Sequence, residues 1–182
     1  MNGRPDKRAI ASWAFYDFAN TIFSMNVISL YFALWVTVDH GGQDILYSIA
    51  LSGSMLAVAI SAPVFGTISD KTGKRRFPLT LLTIISVLAT GFIGEAEQLW
   101  VGLLLFVIAN YCYQSALVFY NGMLPSVARK SNVGMISGDG VALGYIGSIA
   151  GLRLVEPFVT DGGRSAAFLP TAILFLVFAI PC

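Results

Sequence analysis

The chain has 182 residues, of which 56% are hydrophobic and 12% charged, with a mean hydropathy of +0.75 and a net charge of +1. Soluble globular domains are usually about one-quarter charged, so this composition excludes an ordinary water-soluble domain and points to a membrane. A nearly neutral chain also offers no basic surface for nucleic acid.

Six apolar runs follow in chain order: 9–38, 45–69, 77–95, 99–127, 133–158 and 165–182. Crossing a bilayer core takes about 20 mostly apolar residues, within a range of roughly 17–25. Every run reaches that range, and the longer ones imply tilt or protruding ends. Backbone in lipid has to satisfy its own hydrogen bonds, so each run is expected to be a helix. The predicted fold class is an all-α membrane bundle of six helices, with 1–182 as one unit. Arg4, Lys7 and Arg8 precede the first run, as in a signal peptide. That run is too long for one, holds Asp17 and Asn20, and lacks a small-residue cleavage pattern. It is read as a retained helix.

Orientation follows from Lys and Arg. Arg4, Lys7 and Arg8 precede the first helix, Lys71, Lys74, Arg75 and Arg76 join the second to the third, and Arg129 and Lys130 join the fourth to the fifth. These are nine of the eleven cations, all on one side if the helices alternate. The opposite loops hold Asp39, His40, Asp44, Glu95, Glu97, Glu156 and Asp161, with only Arg153 and Arg164 as cations. The positive-inside rule then predicts a cytoplasmic N-terminus, with a bacterial cytoplasmic membrane as the expected location. Cys112 and Cys182 suit no disulfide, and two cysteines with one histidine build no common zinc site. His40 is expected to be a solvated loop side chain. Without a Gly-x-Ser-x-Gly motif or a histidine inside any helix, no catalytic residue, metal or cofactor is expected, and the protein is not read as an enzyme.

Within the first helix, Asp17 and Asn20 share a face that Ser24 continues. An intramembrane acid is costly and usually faces a cavity or a partner. Asp17 lies eight residues from Ala9, about 12 Å at 1.5 Å per residue. That depth suits a cavity-lining role and a structural role near the interface equally well. In the segment 66–76, Gly73 supplies the positive φ that a tight turn often needs. Asp70 falls at the C-terminal end of the second helix, where the macrodipole disfavours an acid. It is expected to have a compensating partner, either a nearby Lys or Arg or the N-terminus of another helix.

In the fourth helix, Asn110, Gln114 and Asn121 share one face, beside Tyr113 and Tyr120. Such amides can bond between membrane helices. Three on one face favour a polar stripe along a central pathway. In the fifth, Gly140, Gly144, Gly147 and Gly151 form a stripe that permits close helix contact. The stretch 141–155 spans only about 21 Å against a core of about 30 Å. The helix therefore begins earlier and holds Asp139 in its first turns, where an acid favours the N-terminus. Asp139 joins the pathway candidates. Arg153 and Glu156 are spaced for a local ion pair, and Pro63, Pro125 and Pro170 are expected to kink helices or mark their ends.

Gly66, Asp70, Lys71, Gly73, Lys74 and Arg75, followed by Arg76, match the pattern Gly-x-x-x-Asp-(Arg/Lys)-x-Gly-(Arg/Lys)-(Arg/Lys). This resembles the signature loop between helices two and three of the major facilitator superfamily. Trp13, Tyr16, Asp17, Ala19 and Asn20 look like the Trp-x-x-Tyr-Asp-x-Ala-Asn opening of its vacuole-effluxer-like branch. Phe119, Tyr120, Asn121, Gly122, Met123, Leu124 and Pro125 are similar to that branch too, as are Gly144, Tyr145, Ile146 and Gly147. The branch includes autophagy-related vacuolar amino-acid effluxers. The fourth helix lacks the Arg that many proton-coupled members carry, and the fifth lacks the Gly-Pro step of antiporters.

The resemblance implies the N-terminal, six-helix half of a twelve-helix secondary transporter that moves a small solute, with amino acids first, by alternating access. It implies that the loop carrying Gly66, Asp70, Gly73, Lys74, Arg75 and Arg76 latches the two halves and gates the pathway. The expected partners are the lipid bilayer, the solute, and either a missing C-terminal half or a second chain. The sixth run stops on Pro181 and Cys182 with no basic residue after it, as expected of a chain cut at its sixth helix. The competing expectation is a membrane scaffold or sensor that keeps the half-fold without transporting.

Overall fold

The computed structural model describes residues 7–128 and 131–182, so Arg4, Arg129 and Lys130 lie outside the described residues. Among those described, the chain is helical without strands. Helix α1 spans Lys7–Asp39, α2 Asp44–Thr72, α3 Arg76–Ile93, α4 Leu99–Val127, α5 Val133–Gly162 and α6 Arg164–Ala179. The first five are long and apolar enough to cross a membrane, and α6 is a shorter apolar helix. This is an integral multi-pass membrane protein.

Local chemistry sets the boundaries. Helix α2 runs past its apolar stretch to Thr72, whose hydroxyl donates to the Ile68 carbonyl at 2.7 Å. It ends on Gly73 at φ +64°, whose N–H bonds the Ser69 carbonyl at 3.0 Å, a left-handed cap that glycine adopts without steric cost. Helix α5 continues through Pro157 to Gly162, so Asp161 is helical and not in a loop. It begins at Val133, which puts Asp139 in its second turn. In α1, Ser24–Tyr31 and Trp35–Asp39 are wound as π-helix. Pro63 and Pro157 lie inside α2 and α5, and Pro125 falls in the last turn of α4.

Helix α1 packs on α5 and α6, α4 packs on α2 and α3, and α3 meets α6. Exchanging the first three helices for the last three leaves this pattern unchanged, the arrangement of a three-plus-three repeat. Helices α1 and α4 occupy the centre. Trp13 stacks on Tyr120 with ring centroids 4.7 Å apart, Phe23 lies 4.5 Å from Tyr113, and Phe32 stacks on Phe106 at 4.1 Å. Gly102 leaves the space that the Trp35 indole fills. Helices α2 and α5 bury little and turn large apolar side chains such as Leu56, Ile60, Ile146 and Ile149 outward, as a lipid-facing or partner-facing surface does.

The α1–α5 seam depends on glycine. A Cβ at Gly147 would stand 2.5 Å from the Phe18 carbonyl oxygen, and one at Gly140 would stand 2.7 Å from the Trp13 ring. Gly144 faces Asp17 and Thr21, and Gly151 faces Ile22. Into this close approach Thr21 donates a hydrogen bond to the Gly144 carbonyl at 2.7 Å. Far from that seam, the loop after α1 differs from expectation at His40. Its ring packs on Trp35, centroids 3.9 Å apart, with Nδ1 3.2 Å from the Trp35 carbonyl. His40 is thus half-buried against the indole, and the chain turns immediately after it at Gly41, at φ +59°. Nearby, Arg164 pairs with Asp39, and Trp35 donates to Ser165 at 3.1 Å, tying the end of α1 to the start of α6. Arg153 and Glu156 form the ion pair that their spacing predicts, at 3.3 Å.

Candidate functional site

The loop between α2 and α3 is organised by Arg75. Its guanidinium donates to Ser69 at 2.9 Å, to Ser126 at 3.2 Å and to Asp70 at 3.3 Å. Among the described residues, the ion-pair partner of Asp70 is a nearby arginine. Asp70 is 79% exposed and Arg75 only 20%, so the arginine is anchored and the carboxylate remains presented at the surface. Ser126, near the end of α4, fastens the loop to a second helix. Gly122 faces this cluster, where a Cβ would come within 3.2 Å of the Ser69 hydroxyl and 3.4 Å of Arg75. Gly66 and Gly73 open onto empty space, Gly66 on the exposed flank of α2. Lys74 and Arg76 bracket Arg75 along the same loop.

The second constellation lies on α1 and α4. Asp17 is half-buried where α1, α4 and α5 meet; its carboxylate borders Gly144 and lies within electrostatic reach of Tyr113 and Tyr120. Ser24, about two turns along from Asp17, hydrogen-bonds Tyr113. Gln114 is half-buried and Asn121 exposed, whereas Asn110 is fully buried and donates to Ser54 of α2 at 2.7 Å. The face shared by the three amides therefore passes from a buried helix–helix contact at Asn110 to the open surface at Asn121. Asp139 is exposed on α5, apart from this group.

Among the described residues, several buried polar atoms have no hydrogen-bond partner within the protein: Asn20 Oδ1, both amide atoms of Asn26, Asn110 Oδ1, Ser115 Oγ and Tyr120 Oη. Among the described residues, all of these lie on α1 or α4. An unpaired buried polar group costs roughly 1–3 kcal/mol, so such a concentration on two adjoining helices is unfavourable for stability alone. Asn26 sits in the π-wound segment of α1, a form that recurs at functional sites.

Sequence reasoning missed several members of these clusters: Ser69 and Ser126 around Arg75, Ser54 beneath Asn110, and Asn26, Ser115 and Thr21 on the central helices. Single hydroxyl and amide residues in an apolar helix carry no periodic signal, so only their partners reveal them. Asn26 alone, an amide deep in the first apolar run, could have been singled out on cost.

A family model described as Major Facilitator Superfamily matches residues 17–182. An uncharacterised protein of Aquifex aeolicus (strain VF5) is 30% identical over 192 aligned residues, covering 100% of this chain and 47% of that protein. An uncharacterised MFS-type transporter of Bacillus subtilis (strain 168), YxiO, is 28% identical over 192 aligned residues, covering 93% of this chain and 44% of its own. The chain spans about half the length of the curated relatives it matches. No solved structure matches it.

Proposed function

The chain belongs to the major facilitator superfamily, and on that premise we propose that it forms the N-terminal six-helix half of a secondary transporter working by alternating access. The observation that carries this reading is the set of unpaired buried polar groups confined to the central helices α1 and α4. In this architecture two halves are parallel repeats and the binding site lies at their interface. These unpaired atoms are buried within the half-bundle, so a partner reaches them only as water or when α1 and α4 shift against each other, as alternating access requires. That the Bacillus subtilis relative is named an MFS-type transporter supports the same reading.

Asp17, Asn20, Gln114 and Asn121 line the pathway, Asn110 braces its wall through Ser54, and Asp139 stands at its exposed margin. The loop carrying Gly66, Asp70, Gly73, Lys74, Arg75 and Arg76 is its gate. Arg75 holds the loop to α4 while Asp70 stays exposed for a contact on the other half. The vacuole-effluxer-like branch is the closest fit to the motifs in α1, α4 and α5, and amino acids are the first solute class. The N-terminus lies in the cytoplasm of a bacterial cell, supported by the nine-to-two division of cations between the two sides. The remainder of a longer chain supplies the second half in preference to a second copy.

Proteoliposomes carrying the full-length protein, loaded with a mixture of radiolabelled amino acids, test this reading. Saturable flux that falls at least tenfold in Asp17→Asn, with helical content unchanged, is expected. Saturable flux undiminished in Asp17→Asn would remove Asp17 from the pathway, and no flux of any amino acid would reject the solute class.

A further inference from the structure

Away from the central helices, α3, α5 and α6 line an open apolar groove of about 650 Å³, walled by Leu154, Phe158, Leu169 and Ile173 and bordered by Glu95. A second cavity of about 230 Å³ continues along the groove between α3 and α6, past Val87, Phe92 and Leu176. The two share Gly91, Glu95, Leu169 and Ile173. Val87 lies eight residues before Glu95, about 12 Å along a helix. The groove therefore runs from a carboxylate just past the end of α3 back toward the middle of the bundle.

Two glycines shape this groove. At Gly94 a Cβ would stand 2.6 Å from the Ser165 carbonyl oxygen, so only glycine lets the end of α3 approach the start of α6 so closely. Gly91 leaves the groove open where α3 faces Leu169 and Ala172, each 3.8 Å from the position a Cβ would take. At the same end of the bundle, Arg164 is matched by Asp39 and Arg153 by Glu156. Glu95 is in no ion pair among the described residues, and no cation lines either cavity.

Two adjoining apolar lobes that meet at one unmatched carboxylate, at the end of a membrane helix, have the shape and charge of a particular class of amphiphile. We propose that this groove is a binding site for a two-chain membrane phospholipid with a primary ammonium headgroup, as in phosphatidylethanolamine. Its amine donates to Glu95 and its acyl chains occupy the two lobes. A charge-assisted ammonium–carboxylate bond is short and strong relative to a neutral one. An anionic headgroup without an amine would instead meet like charge. Ordinary boundary lipid would cover the same apolar walls without preference among headgroups.

Native mass spectrometry of the purified chain, released from detergent containing equimolar dioleoyl phosphatidylethanolamine and dioleoyl phosphatidylglycerol, tests the proposal. Bound phosphatidylethanolamine should exceed phosphatidylglycerol roughly threefold, the scale of an exposed ion pair. Glu95→Gln, a change at an exposed position, should bring the ratio to about one, and Glu95→Asp should retain the preference. Ile173→Trp, which fills the shared wall, should remove the bound phosphatidylethanolamine. Equal binding of the two lipids by the unaltered chain, or a ratio unmoved by Glu95→Gln, would overturn the proposal. A lipid-free dimer that Ile173→Trp dissociates would assign the groove to a second copy instead.

Discussion

The Arg75 guanidinium stands 3.3 Å from the Asp70 carboxylate across the turn between α2 and α3. Because the same guanidinium also reaches Ser69 and Ser126, the turn is tied to α4 and does not swing freely on its own helix ends. The acid against the α2 dipole is thereby compensated, yet most of its surface remains exposed.

From this arrangement, Asp70→Asn and Arg75→Ala should separate stability from gating. The Asp70 pair is largely exposed and contributes about 1 kcal/mol or less. Asp70→Asn should therefore shift the melting temperature little while impairing flux through the full-length protein. Arg75→Ala releases two serines and the end of α4 as well, and should lower the melting temperature further. Unchanged transport kinetics in Asp70→Asn would leave the loop with a turn-forming role only.

The α1–α5 seam should tolerate added volume very unevenly. Gly147→Ala drives a methyl against the Phe18 backbone and should cost about 2 kcal/mol, in the range for overpacking. Gly144→Ala meets only the side chains of Thr21 and Asp17 at 3.1–3.2 Å and should cost less. Gly66→Ala meets nothing within 4 Å and should be neutral or slightly stabilising in the isolated chain. Thermal unfolding in detergent, followed by circular dichroism, ranks the three. Equal losses would contradict the seam as described.

Accessibility should divide the α4 amides. In a background lacking Cys112 and Cys182, cysteine at Gln114 or Asn121 should react with a small polar thiol reagent. Cysteine at Asn110, fully buried against Ser54, should stay inert. Asn110→Ala should also loosen α2 from α4 by roughly 0.6 kcal/mol, the mean for such contacts between membrane helices. Reaction at all three positions at equal rates would contradict the burial of Asn110.

The two sides of the membrane can be told apart with the same chemistry. Single cysteines at Thr72, beside the basic loop, and at Gln43, between α1 and α2, should label from opposite faces of sealed vesicles. Labelling from one face would reject the orientation drawn from the cations.

The sequence alone determined that this chain is a bundle of apolar helices, because lipid tolerates so few backbone forms. Charge clustering, run length and the loop containing Asp70 and Gly73 are local properties, so helix order, the left-handed turn at Gly73 and the family resemblance were all legible. The glycine stripe of α5 announced a close contact, but nothing in its spacing named α1 as the partner. Tertiary structure alone decided that Arg75, and not its basic neighbours, satisfies Asp70 and joins it to Ser126, 51 residues away. It also decided that Asn110 turns to Ser54 while Gln114, one turn on, does not share its burial. The physical reason is common to these cases. Helical periodicity tells which residues share a face, but hydrogen bonds and ion pairs form at a few ångströms, and that distance is set only when the helices meet.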